Sequence, residues 1–252
     1  MKNNHFRNLI TLTICFILTF NVNSFSILAQ TQTPNVELYS AKIAQKGFNS
    51  DYTSKGYIYV KDLGNDKDIT VHYTIDGDTW VDQKASYLKN LSAEDEIWSF
   101  NIDIPKNQSN NCTFAIKYEV DGNTYWDNNN TKNYYLEYSY SNNNAPYALS
   151  KSTVMLDTAK HKYYYGLQGY MFLKDLAYAK DVKVHYTKDN WKTYKSIDAT
   201  YIKDLDNIEL WTFFISCYDY IEGEYAISYT VNGKTYWDNN FGNNYSLTKN
   251  YE

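Results

Sequence analysis

The stretch Phe114-Ala-Ile-Lys-Tyr-Glu-Val-Asp-Gly-Asn-Thr-Tyr-Trp-Asp-Asn-Asn129 alternates strictly from Phe114 to Val120. A period of two sends Phe114, Ile116, Tyr118 and Val120 to one face and Lys117 and Glu119 to the other, the pattern of a half-buried β-strand. Asp121-Gly122 follows at once, and such a pair suits a two-residue hairpin because both central residues need positive φ. Asp68-Ile-Thr-Val-His-Tyr-Thr74 alternates in the same way. No window shows a convincing helical period, so short antiparallel strands joined by turns are expected throughout.

Working outward, the same text occurs twice. Thr124-Tyr-Trp-Asp-Asn-Asn129 returns as Thr235-Tyr-Trp-Asp-Asn-Asn240, with Asn232-Gly233 in place of Asp121-Gly122. Gly56-Tyr-Ile-Tyr-Val-Lys-Asp-Leu63 returns as Gly169-Tyr-Met-Phe-Leu-Lys-Asp-Leu176, and Val71-His-Tyr-Thr74 as Val184-His-Tyr-Thr187. This is a tandem duplication. The expected fold class is all-β: two tandem immunoglobulin-like β-sandwich modules, over 37–138 and 150–252. Residues 139–149, rich in Asn and Ser, read as a linker.

Composition narrows the function. The chain has 252 residues, 18% of them aromatic, with Tyr 28 and Phe 11, so flat faces with polar tips abound. A net charge of −5 with Arg7 as the sole arginine excludes the basic face that nucleic acid binding needs. A mean hydropathy of −0.61 excludes a multi-span membrane protein. At the start, Lys2 and Arg7 precede the apolar run Leu9–Phe20 and polar Asn21, Asn23 and Ser24. The run is too short for the ~20 residues of a bilayer span, so residues 1–29 read as a secretory signal peptide, cleaved near Ser24, Ser26 or Ala29. Secretion, with no membrane attachment after cleavage, is the resulting expectation. Removing the segment takes Cys15 away and leaves Cys112 and Cys217, which occupy unmatched positions in the two copies and read as separate buried thiols.

The tryptophans divide into two kinds. Trp98 in Trp98-Ser-Phe100-Asn-Ile102 and Trp211 in Trp211-Thr-Phe213 sit on alternating strands and belong to the core. Trp80 and Trp191 sit at turns, and Trp126 and Trp237 stand at the mouths of Asp127-Asn-Asn-Asn130 and Asp238-Asn-Asn240. A sugar ring offers an apolar C–H face and a rim of hydroxyls, which an indole beside carboxamides would complement.

These residues resemble carbohydrate-binding module family 21, which includes the starch-binding domain of fungal glucoamylase and glycogen-targeting subunits of a protein phosphatase. The resemblance runs from Gly56 to Leu63, through Trp80, Trp98 and Phe114 to Tyr134 in copy one, and from Gly169 to Trp191, Trp211 to Phe213 and Glu224 to Tyr245 in copy two. It implies a main sugar site formed by Trp80, Trp126, Asn128 and Asn133, and its equivalent formed by Trp191, Trp237, Asn239 and Asn244. A further aromatic of that site in some members falls on Ala115 and Ala226. The resemblance also implies a second site using Tyr178, Tyr201 and Lys180 in copy two; in copy one Tyr87 matches Tyr201 while Asn65 replaces Tyr178. Starch, glycogen or malto-oligosaccharides are the implied ligands, a secreted amylolytic enzyme the implied neighbour, and a monomer the expected state.

Other chemistries find little support. Asp127 or Asp238 could join a carboxylate pair for hydrolysis only with a partner and a deep cleft that a repeated loop of a small sandwich does not suggest. His72 and His185 match each other and His161 stands apart, without zinc-ligand spacing. Asp66, Asp68, Asp76 and Asp78 lack the order of a dedicated calcium loop. Neither an enzyme, a cofactor nor a metal is therefore expected. A phosphatase-targeting subunit would need a docking string, for which Lys183-Val-His-Tyr186 is the nearest match, and a structural surface protein would use its rings against protein neighbours.

Overall fold

The computed structural model describes residues 34–138, 146–162, 166–216 and 222–247. The signal-peptide reading of 1–29 and Cys217 lie outside them. The first module runs β1 (Val36–Gln45), β2 (Tyr52–Lys61), β3 (Lys67–Thr74), β4 (Val81–Lys84), β5 (Ser86–Asn90), β6 (Asp95–Ile104), β7 (Asn111–Val120), β8 (Asn123–Asp127) and β9 (Tyr134–Glu137). After β10 (Tyr147–Leu149) the second module runs β11 (Val154–Lys162), β12 (Gly166–Lys174), β13 (Lys180–Thr187), β14 (Lys195–Asp198) and β15 (Thr200–Leu205). It closes with β16 (Ile208–Ser216), β17 (Glu224–Val231), β18 (Lys234–Asp238) and β19 (Tyr245–Ser246). No helix occurs among the described residues.

Each module is a β-sandwich of two antiparallel sheets. In the first, β10-β1-β2-β6-β5 faces β4-β3-β7-β8, with β9 also paired to β7. In the second, β11-β12-β16-β15 faces β14-β13-β17-β18, with β19 on β17. The alternation in β7 sets the inner face as expected: Phe114, Ile116, Tyr118 and Val120 are all buried. They pack on Leu38, Ile58, Phe100 and Ile102 of the opposing sheet. The hairpins after Val120 and Val231 have the expected backbone, with φ of 48° and 76° at Asp121 and Gly122 and of 51° and 74° at Asn232 and Gly233.

Buried charge repeats with the fold. Lys67 pairs with Glu96 at 2.5 Å and Lys180 with Glu209 at 2.6 Å. The other carboxylate oxygen of each glutamate accepts from an indole, Trp98 Nε1 and Trp211 Nε1, both at 2.8 Å. These tryptophans pack against the two cores from partly buried positions. Burial acts to lower the pKa of both lysines, but the hydrogen bonds that Lys67 donates to Asp62 and Glu96, and Lys180 to Asp175 and Glu209, raise them overall.

The stretch read as a linker is partly structured, because Tyr147–Leu149 adds a strand to β1 of the first module. The described residues from 34 onward form one compact unit. A third apolar cluster joins the modules through Tyr147, Met155, Phe172, Leu205 and Ile208, with Tyr39, Tyr57 and Leu210 packed beside them. Lys42–Asp157 at 3.0 Å and Lys151–Glu37 at 3.2 Å cross the same boundary. The outward residues of β1, β2, β12 and β16 thus meet another sheet rather than water, which fixes the spacing of the two modules.

Candidate functional site

The outer face of β3 carries His72 between two indoles. Its ring stacks on Trp80 with centroids 4.8 Å apart and planes 14° off parallel, and meets Trp126 edge-on at 6.1 Å. Strand order explains the grouping. Trp80 leads into β4 beside Tyr73 and His72, while Trp126 on β8 lies opposite Lys117, two positions from the Ala115 that faces His72. Ala115 provides no ring there, and the neighbouring imidazole completes the platform. Trp80 and Trp126 are 37% and 51% exposed and, with His72 between them, form a contiguous exposed patch of the kind that marks a binding surface.

The second module repeats the platform with a substitution. His185 packs on Trp237 at 5.1 Å and on Tyr194 at 5.8 Å. Tyr194 immediately precedes β14, as Trp80 precedes β4. The pairing of Trp80 with Trp191 therefore does not hold in space. Trp191 sits in the preceding turn with φ of 62°, half buried, and its Nε1 donates to Glu224 Oε2 at 2.9 Å. The two turns differ in length, so Tyr194 rather than Trp191 takes the place of Trp80 before the strand. Sequence reading also passed over His72 and His185; their signal was an aromatic residue at matched outward positions of a repeated strand.

The Asn-rich loops have a backbone reason for their composition. Asn129, Asn130, Thr131 and Asn133 in the first, and Asn240, Phe241, Gly242 and Asn244 in the second, all take positive φ. Asn adopts that region more readily than most side chains because its short amide bonds locally. Asn128 Oδ1 accepts from Thr131 N at 3.0 Å, and Asn239 Oδ1 from Gly242 N at 2.9 Å. Asn244 Nδ2 donates to Glu224 Oε2 at 2.8 Å, joining the loop to Trp191. Asn128 and Asn239 thus brace the loops from within, and Asn133 and Asn244 close them through backbone bonds to residues 128 and 239 of 2.8 Å and 2.7 Å.

The acidic residue of the repeated motif is structural. Asp127 Oδ2 accepts from Leu38 N, and Asp238 Oδ2 from Leu156 N, both at 2.6 Å and both beside a β-bulge. Tyr134 and Tyr245 donate their hydroxyls to the same carboxylates. Burial pushes the Asp238 carboxyl above its usual range. The turn acid Asp76 shifts the opposite way: backbone N–H groups of Thr79 and Asp78 hold it well below the usual carboxylate range. No group of metal-ligating side chains occurs among the described residues.

The residues implied for a second site differ in exposure. Tyr178 is fully exposed, and Tyr201 and Tyr87 are about half exposed, each edge-on to a core indole at 5.8 Å. Lys180 does not belong with them as a free donor, since its side chain is 5% exposed and held by Asp175 and Glu209.

His185 donates or accepts at both ring nitrogens, through Ser196 and Ser228 hydroxyls each at 2.8 Å. Burial holds its pKa below the ordinary histidine value, so the unfolded chain binds the proton first as pH falls. Stability that is present above the unfolded pKa of about 6.5 is then lost as pH falls through the lower folded value. Thermal melts between about pH 7.5 and 5.5 should show a drop that shrinks in His185→Gln. An identical drop in the variant would assign it to other groups.

The fit of this chain to known proteins is consistent over both modules. The model of the carbohydrate/starch-binding module (family 21) matches residues 30–137 and again 148–248. Glucoamylase 1 of Rhizopus oryzae is 38% identical over 106 residues, 40% of this chain and 17% of that protein. Protein phosphatase 1 regulatory subunit 3B of Homo sapiens is 34% identical over 90 residues, 33% of this chain and 32% of that one. The solution structure of the carbohydrate binding module of the muscle glycogen-targeting subunit of Protein Phosphatase-1 covers 38% of this chain and 76% of its own, at 27% identity and a TM-score of 0.35. The matched segments are therefore a minor part of both curated relatives.

Proposed function

Given that the chain belongs to carbohydrate-binding module family 21, we propose that it is a secreted, non-catalytic α-1,4-glucan-binding protein with one ring platform per module. The observation that carries this reading is the recurrence, in both modules, of an imidazole packed against two exposed rings. Sugar C–H groups pack on the rings, and hydroxyls exchange hydrogen bonds with the loop. The motif carboxylates Asp127 and Asp238 are engaged by backbone N–H and tyrosine hydroxyl groups, and Asp82, the carboxylate that touches the first platform, is engaged by His72 Nδ1 at 2.6 Å, which supports binding without hydrolysis.

A phosphatase-targeting role fits less well. The string Lys183-Val-His-Tyr186 is part of β13, paired on both sides, with Val184 fully buried. It has no freedom to add itself to a partner.

The test is retention on insoluble starch together with a reducing-end assay on soluble starch. Retention without release of reducing ends is the expected result. Failure to sediment with starch would overturn the binding reading, and release above that of a Trp126→Ala, Trp237→Ala chain would overturn its non-catalytic part.

A further inference from the structure

The docking of the modules creates a cleft of about 870 Å³ that neither copy forms alone. Its floor is the outward face of the first module's sheet, including Lys55, Ser99 and Asn101, and Leu88 stands at its edge. Its far wall is the second module's loop, through Asn240, Phe241 and Asn243. Phe241 is wedged between Tyr39 and Tyr57, with both centroids 5.0 Å away. Lys89 Nζ donates to the Phe241 carbonyl at 2.7 Å and to Asn243 Oδ1 at 3.0 Å. The wall is therefore built by contacts from the opposite module.

Asn240 and Asn243 also line a second cavity of about 470 Å³ on the other side of the loop, beside Asn244 and Glu224. We propose that this inter-module cleft is a further glucan subsite, in which a chain seated on the second module's platform continues past Asn240 and Asn243 onto the first module. This rests on the glucan-binding reading above.

Cleft chemistry favours a neutral polyol. No carboxylate lines it, and of its three lysines Lys42 is paired with Asp157 and Lys89 is engaged by the loop, so its charge is largely answered. Amides, a hydroxyl and an ammonium on the floor can meet sugar hydroxyls, and Leu88, 45% exposed, offers an apolar edge to a ring face. Pockets of roughly 300–1,000 Å³ hold small ligands, so the cleft has room for more than one sugar unit.

The test uses the full chain in a Trp126→Ala background, which removes the first platform. Maltotriose and maltoheptaose affinities are measured by calorimetry, with and without Lys55→Ala plus Leu88→Ala. Both residues are exposed, so the fold is expected to survive, and equal melting temperatures would verify that. The expected result is a preference for the longer sugar of about tenfold that collapses toward parity in the cleft variant. An unchanged preference overturns the subsite, as does displacement of maltoheptaose by inorganic phosphate, which would mark an anion site. If Trp237→Ala added to the same background leaves maltotriose binding intact, the platform reading fails and the continuous path from platform to cleft fails with it, whereas loss of maltotriose binding in that variant beside an unchanged length preference in the cleft variant overturns the subsite alone.

Discussion

Replacing Glu209 by Ala is expected to cost the second module ~3–5 kcal/mol, the range for stripping one partner from a buried ion pair. The variant leaves Lys180, with a side chain 5% exposed, without its closest carboxylate, and it removes the acceptor of Trp211 Nε1. Asp175 remains at 2.7 Å but is half exposed and stands in water, so it compensates little. Urea unfolding followed by tryptophan emission reads the loss directly. A change under ~1 kcal/mol would mean that water reaches Lys180 and that the pair is an ordinary surface contact. Glu209→Gln separates the two contributions, since the amide oxygen can still accept from the indole while the charge is gone.

Removing both platform indoles, Trp126→Ala with Trp237→Ala, is expected to abolish retention on granular starch, with at least ~100-fold weaker binding. Each ring is 51% exposed, so the melting temperature should stay close to that of the parent. Single variants should lose less, because a rigid pair of sites on one particle binds by a second, intramolecular step. Equal retention by parent and double variant would place the binding surface elsewhere on the molecule.

Much of this was readable from residue order alone. The alternation of β7, the Asp121-Gly122 and Asn232-Gly233 turns, and the separation of Trp98 and Trp211 from the other tryptophans follow from local rules, which nearby side chains enforce. Tyr194 was not legible, because a turn of different length shifts the matched ring off the matched letter. The loops were read as amide-rich for sugar contact, whereas their positive φ values show that the backbone also demands Asn there. Docking was illegible for a deeper reason. Tyr39, Tyr57, Phe172 and Leu210 lie on outward strand faces, and alternation says which side a residue faces but not what waits beyond it.

Phe241 turns the tandem into a single transplantable part. Cutting the chain after residue 138 would leave Tyr39 and Tyr57 facing solvent on one fragment and Met155, Phe172 and Ile208 on the other, a pair of apolar surfaces that the docked modules cover. An engineer grafting this protein onto an amylase as an affinity handle should therefore move residues 34–252 together. A half-length graft would inherit an aggregation fault along with its rings.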